Sequence, residues 1–280
     1  MTSSGEAADV LREDWIGLCR RAGAAVERML ERYPTSADRS QPTGRGEGGD
    51  VALVIDRAAE DAIFAELESL GAPVTAVSEE RGHVPIAGGG AVHVIVDPID
   101  GSLNARRGLG FYSVSIAVAD GPTMADVDLG YVRDLASGEE WVARRGDGAF
   151  LDGERLERLE SDAPMELLGV DSAEPARMEA AAAGLASSGA QRLRSLGSIA
   201  LTLCQVAAGR LDGMVSLLAC RSVDAAAGQL VVREAGGAAA FPDAGDGALS
   251  ASLGLEMRSR VVAARDERAL ERLVAQVSGD

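Results

Sequence analysis

Asp97-Pro98-Ile99-Asp100-Gly101-Ser102-Leu103-Asn104 follows the apolar run Ala91-Val92-His93-Val94-Ile95-Val96, which predicts a buried strand over 92–96. Pro98 stiffens the turn between the two carboxylates. Gly101-Ser102-Leu103-Asn104 then reads as a helix start, where backbone N–H groups are free to take an anion. Carboxylates beside free amides suit a divalent cation lodged between acids and a phosphate, because Mg²⁺ is commonly held by a few carboxylates plus substrate phosphate. A capped turn explains the same residues, since Asp and Ser are frequent at helix starts. The octet alone leaves both readings open.

Two further segments bear on that choice. Glu79-Glu80 follow the short apolar run ending in Ala76-Val77-Ser78, and Asp224 opens the small-residue stretch Ala225-Ala226-Ala227-Gly228 after Arg221-Ser222-Val223. One acid pair in a turn is ordinary. Acids at three separated strand or helix ends, each flanked by small residues, look like a metal site assembled from distant segments.

Composition narrows the class. The 280 residues suffice for one large domain or two closely packed halves, and 46% hydrophobic residues support a sizeable core. Aromatics make up only 3%, so Ala, Val and Leu must fill that core. No apolar run approaches the roughly 18 residues that span a membrane. Met1 to Glu6 lacks the basic and apolar regions of a secretory signal. The three cysteines, Cys19, Cys204 and Cys220, are widely spaced and read as free thiols of a reducing cytosol. A cytoplasmic protein is therefore expected. The net charge is −17 and there is no lysine, which disfavours nucleic acid and anionic membranes as partners. A phosphate ester would need bound cations to reverse the local field.

Apolar spacing predicts helices over 8–33 and 56–70, with a polar, Gly-rich loop from Thr35 to Gly49. Strands are expected at 74–77 and 92–96, then a meander of strands near 112–119, 126–133 and 139–144. From about residue 160 the pattern alternates: strand 167–171, helix 175–186, strand 191–195, helix 198–208, strand 213–217, helix 223–235, strand 259–264, helix 266–277. This is layered α/β architecture, read as an N-terminal α+β half (1–155) and a C-terminal α/β half (156–280). Of the two histidines, His93 reads as a structural strand residue and His83 as a solvated loop residue.

Asp97 to Ser102 matches the D-P-[IL]-D-G-[TS] motif of the inositol monophosphatase / fructose-1,6-bisphosphatase superfamily, and Asp224 to Gly228 resembles its D-x-A-A-G motif. Glu79-Glu80, Leu196-Gly197-Ser198-Ile199-Ala200, Ala207 to Asp212 and Glu234 to Gly237 are similar as well, so the resemblance extends over roughly 8–275. Asn104-Ala105 and Phe111 to Ile116 are nearest the archaeal-type branch, whose members act on both inositol monophosphate and fructose 1,6-bisphosphate. The resemblance implies a five-layer α-β-α-β-α sandwich of the sugar phosphatase type. It also implies a Mg²⁺-dependent phosphomonoesterase for a small-molecule phosphate ester, sensitive to Li⁺ and assembled as a homodimer.

Residue by residue, it implies that Glu79, Asp97, Asp100, Asp224 and the Ile99 carbonyl hold two Mg²⁺ ions. A third ion is implied only if Glu47 replaces the acid that the archaeal branch carries at the position of Gly48. Gly101 and Ser102 would bind phosphate. Asp50, Ser102 and Glu79 form the implied catalytic set, with the Ser102 hydroxyl and Asp50 orienting the attacking water. Gly197, Ser198 and Arg221 are the implied substrate contacts, and Glu80 is an acid that orients its neighbours. Leu217 stands where inositol-specific members carry Glu, and Ser216-Leu217-Leu218 where archaeal relatives carry Asp-Leu-Arg. The alternatives are an adenosine 3′,5′-bisphosphate 3′-phosphatase of the same superfamily, for which aromatics are few, and a non-catalytic regulatory relative.

Overall fold

The structure is a computed structural model that describes residues 4–45, 51–157, 164–245 and 249–277. Helices α1 (Ser4–Val10), α2 (Trp15–Leu30) and the short α3 (Ser36–Arg39) lead into strands β1 (Pro42–Arg45) and β2 (Val51–Leu53), and then α4 (Val54–Leu70). The next stretch runs β3 (Val74–Ser78), β4 (Gly82–Ile86), β5 (Val92–Asp100), α5 (Ser102–Arg107), β6 (Ser113–Ala119), β7 (Val127–Asp134), β8 (Glu140–Arg144), β9 (Gly148–Leu151) and β10 (Glu154–Arg155). The rest comprises β11 (Leu167–Asp171), α6 (Pro175–Ser187), β12 (Arg192–Arg194), α7 (Ile199–Ala207), β13 (Gly213–Ser216), α8 (Ser222–Glu234), β14 (Ala238–Ala240), β15 (Val262–Ala264) and α9 (Glu267–Val277).

An eight-stranded sheet has the order β10-β9-β8-β7-β6-β5-β3-β4, and a five-stranded sheet the order β12-β11-β13-β15-β14. The large sheet is antiparallel except where β3 runs parallel to β5. In the small sheet β12, β11 and β13 are parallel to one another. Helices α2 and α4 cover the outer face of the large sheet, α7 and α8 lie between the sheets, and α6 and α9 close the far side. The result is the five-layer sandwich expected.

Sequence explains the layers. The buried stripe of α2, Trp15, Leu18, Cys19, Ala22, Val26, Met29 and Leu30, recurs at helical spacing and faces the sheet. Helix α8 is buried along most of its length, as a helix between two sheets must be. Its Ala225-Ala226-Ala227-Gly228 run lets it lie tightly on β7: a Cβ at Gly130 would fall 2.6 Å from the Ala227 carbonyl oxygen. That close approach brings Asp224 up to the end of β5.

Several local expectations change. The single helix over 8–33 is two helices, because Asp14 caps α2 by accepting the Gly17 N–H at 2.9 Å. The loop expected from Thr35 contains α3, opened by a Thr35–Asp38 capping box, and β1, which pairs with β2; its last residues, 46–49, lie outside the described residues. His83 is exposed but sits in β4, paired with Val77, not in a loop. Strands β2, β4, β9, β10 and β14 also escaped the sequence reading. A Gly-His-Val-Pro-Ile edge strand and three alanines carry little strand signal. Among the described residues no helix is long and apolar enough to cross a membrane.

Candidate active site

Strand β5 does not stop at Val96 as expected but continues to Asp100. Its pairing with β6 slips: Asp97 faces Ser115 and Asp100 faces Ser113, so three steps on β5 match two on β6. One extra residue in a strand inverts the alternation beyond it. Two acids three apart, which a regular strand would send to opposite faces, are thereby turned to the same side. Pro98 fits inside the bulge because no ladder N–H is required there. The Asp97 Oδ1 accepts the Ile99 N–H at 3.1 Å and fixes the local turn.

The other acids arrive by register and capping. Ser78 pairs with Val96 across the parallel β3–β5 ladder, so Glu79 and Asp97 emerge side by side. Asp224 occupies the third position of α8 and accepts the Arg221 N–H at 2.8 Å. Carboxylate oxygens of Glu79, Asp97 and Asp224 lie within 4.8 Å of one another. They line a cavity of about 210 Å³ together with Asp56, Glu80, Ile99, Asp100, Gly101, Ser102 and Arg221.

Electrostatics follow from burial. Asp97 is 4% exposed, and burial, then the charges of Asp100, Asp224 and Glu79, hold its carboxyl well above the usual range. Asp100 is pushed up to about 8, mainly by burial and by Asp224. The Ser198 hydroxyl at 2.5 Å and the Ala200 N–H at 2.7 Å oppose that rise. Glu80 and Asp56 are each raised to about 7, again by burial first, and each keeps one buried oxygen without a hydrogen-bond partner. The other Asp56 oxygen accepts the Leu53 N–H at 3.2 Å. Arg221 is the cation against this cluster, with Nη1 2.6 Å from Glu79 and Nε 3.9 Å from Asp224. An all-oxygen set of carboxylates, buried at Asp97 and Asp100 and half-buried at Glu79 and Asp224, is suited to a hard divalent cation.

The structure thus gathers Glu79, Asp97, Ile99, Asp100, Asp224, Gly101, Ser102 and Arg221 around one cavity. Arg221 lies on the acids. The Ser198 side chain is buried, bonded to Asp100 and capping α7 through the Leu201 N–H at 3.2 Å. Gly197, at φ +85°, packs against Asn104, and a Cβ on Gly101 (φ +89°) would fall 2.9 Å from the Gly197 carbonyl oxygen. Arg107 and Arg194 are exposed and Arg106 is half-buried. Asp50, Glu47 and Gly48 lie outside the described residues.

Sequence reasoning assigned no role to Asp56 or Asn104. Asp56 showed only as an acid in the first turn of an apolar helix, Val54-Ile55-Asp56. The Asn104 side chain donates to the Phe111 and Leu196 carbonyls at 2.8 and 2.7 Å and ties the turn after β5 to the turn before α7. Asparagine beside Gly and Ser is too common in turns to mark such a clamp.

Residues 10–279 match the Inositol monophosphatase family. The chain belongs to that family. It is 34% identical over 263 residues to a fructose-1,6-bisphosphatase/inositol-1-monophosphatase of Methanothermobacter thermautotrophicus, covering 89% of this chain and 91% of that one. It is 33% identical over 253 residues to the Nus factor SuhB of Haemophilus influenzae, covering 88% and 91%. Among solved structures it is similar to a Thermotoga maritima IMPase, with TM-score 0.77, 26% identity and coverage of 94% and 96%. Membership in this family of metal-dependent phosphatases makes the chain a phosphomonoesterase.

Proposed function

We propose that the chain hydrolyses a small polyol or sugar phosphate, inositol monophosphate or fructose 1,6-bisphosphate, with Mg²⁺ at the Glu79–Asp97–Asp224 cluster. The observation that carries this is the convergence of those three carboxylates within 4.8 Å in a cavity that Asp100, Gly101 and Ser102 also line. Glu79, Asp97, Asp100, Asp224 and the Ile99 carbonyl would hold two ions. Mg²⁺ bound there supplies Lewis acidity to the phosphate and lowers the pKa of water.

The remaining work falls to the chain. Gly101 and Ser102 offer backbone N–H groups to the phosphate, and Gly101 gives it room. The Ser102 hydroxyl, with Asp50, orients the attacking water. Asp56 and Glu80 line the same cavity, and burial raises both in the metal-free fold to about 7. No covalent phospho-enzyme is invoked. The names carried by the archaeal relatives support the substrate class.

A phosphate-release panel tests the reading. Inositol 1-phosphate, fructose 1,6-bisphosphate and adenosine 3′,5′-bisphosphate are assayed with Mg²⁺ and with EDTA. Turnover of one of the first two that EDTA abolishes is expected. Preference for the nucleotide would replace the substrate assignment, and EDTA-insensitive turnover would remove the metal.

A further inference from the structure

Glu60 lies one turn along α4 from Asp56, on the same face of the helix. Asp56 lines the acid cavity; Glu60, 1% exposed, is not part of its wall. The Glu60 carboxylate instead takes hold of the connection between β3 and β4. The Ser78 hydroxyl, at the end of β3, donates to Oε1, and the Arg81 Nε, just before β4, lies 3.2 Å from Oε2. The Arg81 guanidinium also lies over the Phe64 ring, 4.4 Å from its centroid, and donates to the exposed Asp61 carboxylate. Phe64 is one further turn along α4, so carboxylate and ring together form a seat for this guanidinium. No step of the proposed reaction uses Glu60.

What this grip acts on follows from the pairing of the strands. From Val74 to Ser78, β3 pairs with β4 on one side and β5 on the other, and Ser78 faces Gly82. The ladders therefore fix the chain up to Ser78 and again from Gly82. They leave Glu79, Glu80 and Arg81, the residues between, to be placed by side chains. Glu79 carries a carboxylate within 4.8 Å of those of Asp97 and Asp224, and Arg221 meets it at 2.6 Å. Glu60 holds the residues on either side of the Glu79-Glu80 pair. A carboxylate this buried is costly unless it is paired and hydrogen-bonded, and both oxygens of Glu60 are engaged.

We infer that Glu60 is a positioning residue. Bonded to Ser78 and Arg81, it clamps the two ends of the Glu79-Glu80 turn onto α4 and so sets where the Glu79 carboxylate meets Asp97 and Asp224. The inference rests on the reading of Glu79 as a metal ligand. Removing a group that orients a ligand typically costs roughly 10- to 100-fold in metal affinity or activity.

Heat stability followed against Mg²⁺ concentration separates positioning from packing. Lost packing lowers the melting temperature of the metal-free protein; a misplaced ligand changes the Mg²⁺ concentration needed to raise it. Glu60→Ala should raise the Mg²⁺ dissociation constant so measured roughly 10-fold and lower kcat/KM by a similar factor. Ser78→Ala, which removes only one hydroxyl, should move both the same way by less, and it decides the matter if Glu60→Ala does not fold. The effect should pass through Glu79: in a Glu79→Gln protein, adding Glu60→Ala or Ser78→Ala should change the dissociation constant by less than about two-fold. A folded Glu60→Ala, or failing that Ser78→Ala, with wild-type Mg²⁺ affinity overturns the inference, however far its metal-free melting temperature falls. So does a loss that adds in full to that of Glu79→Gln. Glu79→Gln alone tests the underlying reading: if it keeps full Mg²⁺ affinity, Glu79 is no ligand and both statements fall, whereas after either of the other two outcomes the reading of Glu79 stands.

Discussion

Two of the places where this molecule buries carboxylates treat them in opposite ways. Beneath α2, Glu140 is 8% exposed but accepts the Arg20 Nε at 2.9 Å and the Tyr131 hydroxyl at 3.1 Å. Arg133 approaches it at 3.7 Å and pairs with Glu27 at 2.7 Å. There the chain supplies its own cations, and the charges serve to fasten a helix to a sheet. At the end of β5, Glu79, Asp97, Asp100 and Asp224 converge with Arg221 against them, and burial and mutual repulsion push Asp97 and Asp100 up. A buried charge balanced internally is structure; a buried charge left over is a demand for a cation from outside.

The largest expected effect breaks that contrast directly. Asp97→Asn should abolish Mg²⁺-dependent phosphate release, because a neutral amide cannot balance the ion. The same substitution should raise the melting temperature of the metal-free protein at pH 8.5 by removing an acid whose ionisation burial and its neighbours oppose. Glu140→Gln should do the reverse: folded protein turns over normally, while stability falls by roughly 2–3 kcal/mol as its arginines lose their partner. Near-normal turnover in Asp97→Asn, or a dead but stable Glu140→Gln, would mean that the two clusters have been assigned the wrong way round.

The next effect is a pH dependence of opposite sign with and without metal. Asp97, Asp100, Asp56 and Glu80 all have raised pKa values in the fold, by burial first. An acid whose folded pKa lies above its unfolded value stabilises the fold fully below the unfolded value, near 4, and that contribution is lost as pH rises through the folded one. Asp100 is near 8 and Asp56 and Glu80 are near 7. In EDTA the melting temperature should therefore fall between about pH 5 and pH 8.5. Saturating Mg²⁺ should add about 2.7 kcal/mol at a hundred times its dissociation constant. Its gain should be larger at pH 8.5, where the ligands are already ionised. A metal-free protein that grows steadily more stable towards pH 8.5 would contradict the picture of an uncompensated acid cluster.

How much of this was legible beforehand differs between the two places. The order of elements from β11 to α9 could be read from alternating periodicity, and the octet 97–104 marked the site because its residue types are unusual in combination. The bulge that puts Asp97 and Asp100 on one side could not be read, since nothing in Asp-Pro-Ile-Asp states how it pairs with Ser113 and Ser115. Asp56 and Asn104 were equally silent. Each is a common residue type whose place in the site is set by residues remote in the sequence, such as Leu196, 92 positions from Asn104. The Glu140 network was invisible for the same reason, as Arg20 and Glu140 lie 120 residues apart.

The smallest effect concerns the one guanidinium that blurs the contrast. Arg221 lies 2.6 Å from Glu79, and both side chains are 18% exposed. It gives the site part of the internal balance that Glu140 enjoys. On the proposed reading, Mg²⁺ and the guanidinium would compete for the same oxygens. Arg221→Met keeps the apolar stem of the side chain and removes the charge. The metal-free protein should lose about 1 kcal/mol, the modest value of a partly exposed pair. The Mg²⁺ dissociation constant, measured by calorimetry, should fall a few-fold because the ion no longer displaces a resident cation. KM should stay close to wild type if Arg221 serves the acids. If instead KM rises and Mg²⁺ affinity is unchanged, Arg221 works on the substrate, and the site holds its acids apart by the fold alone.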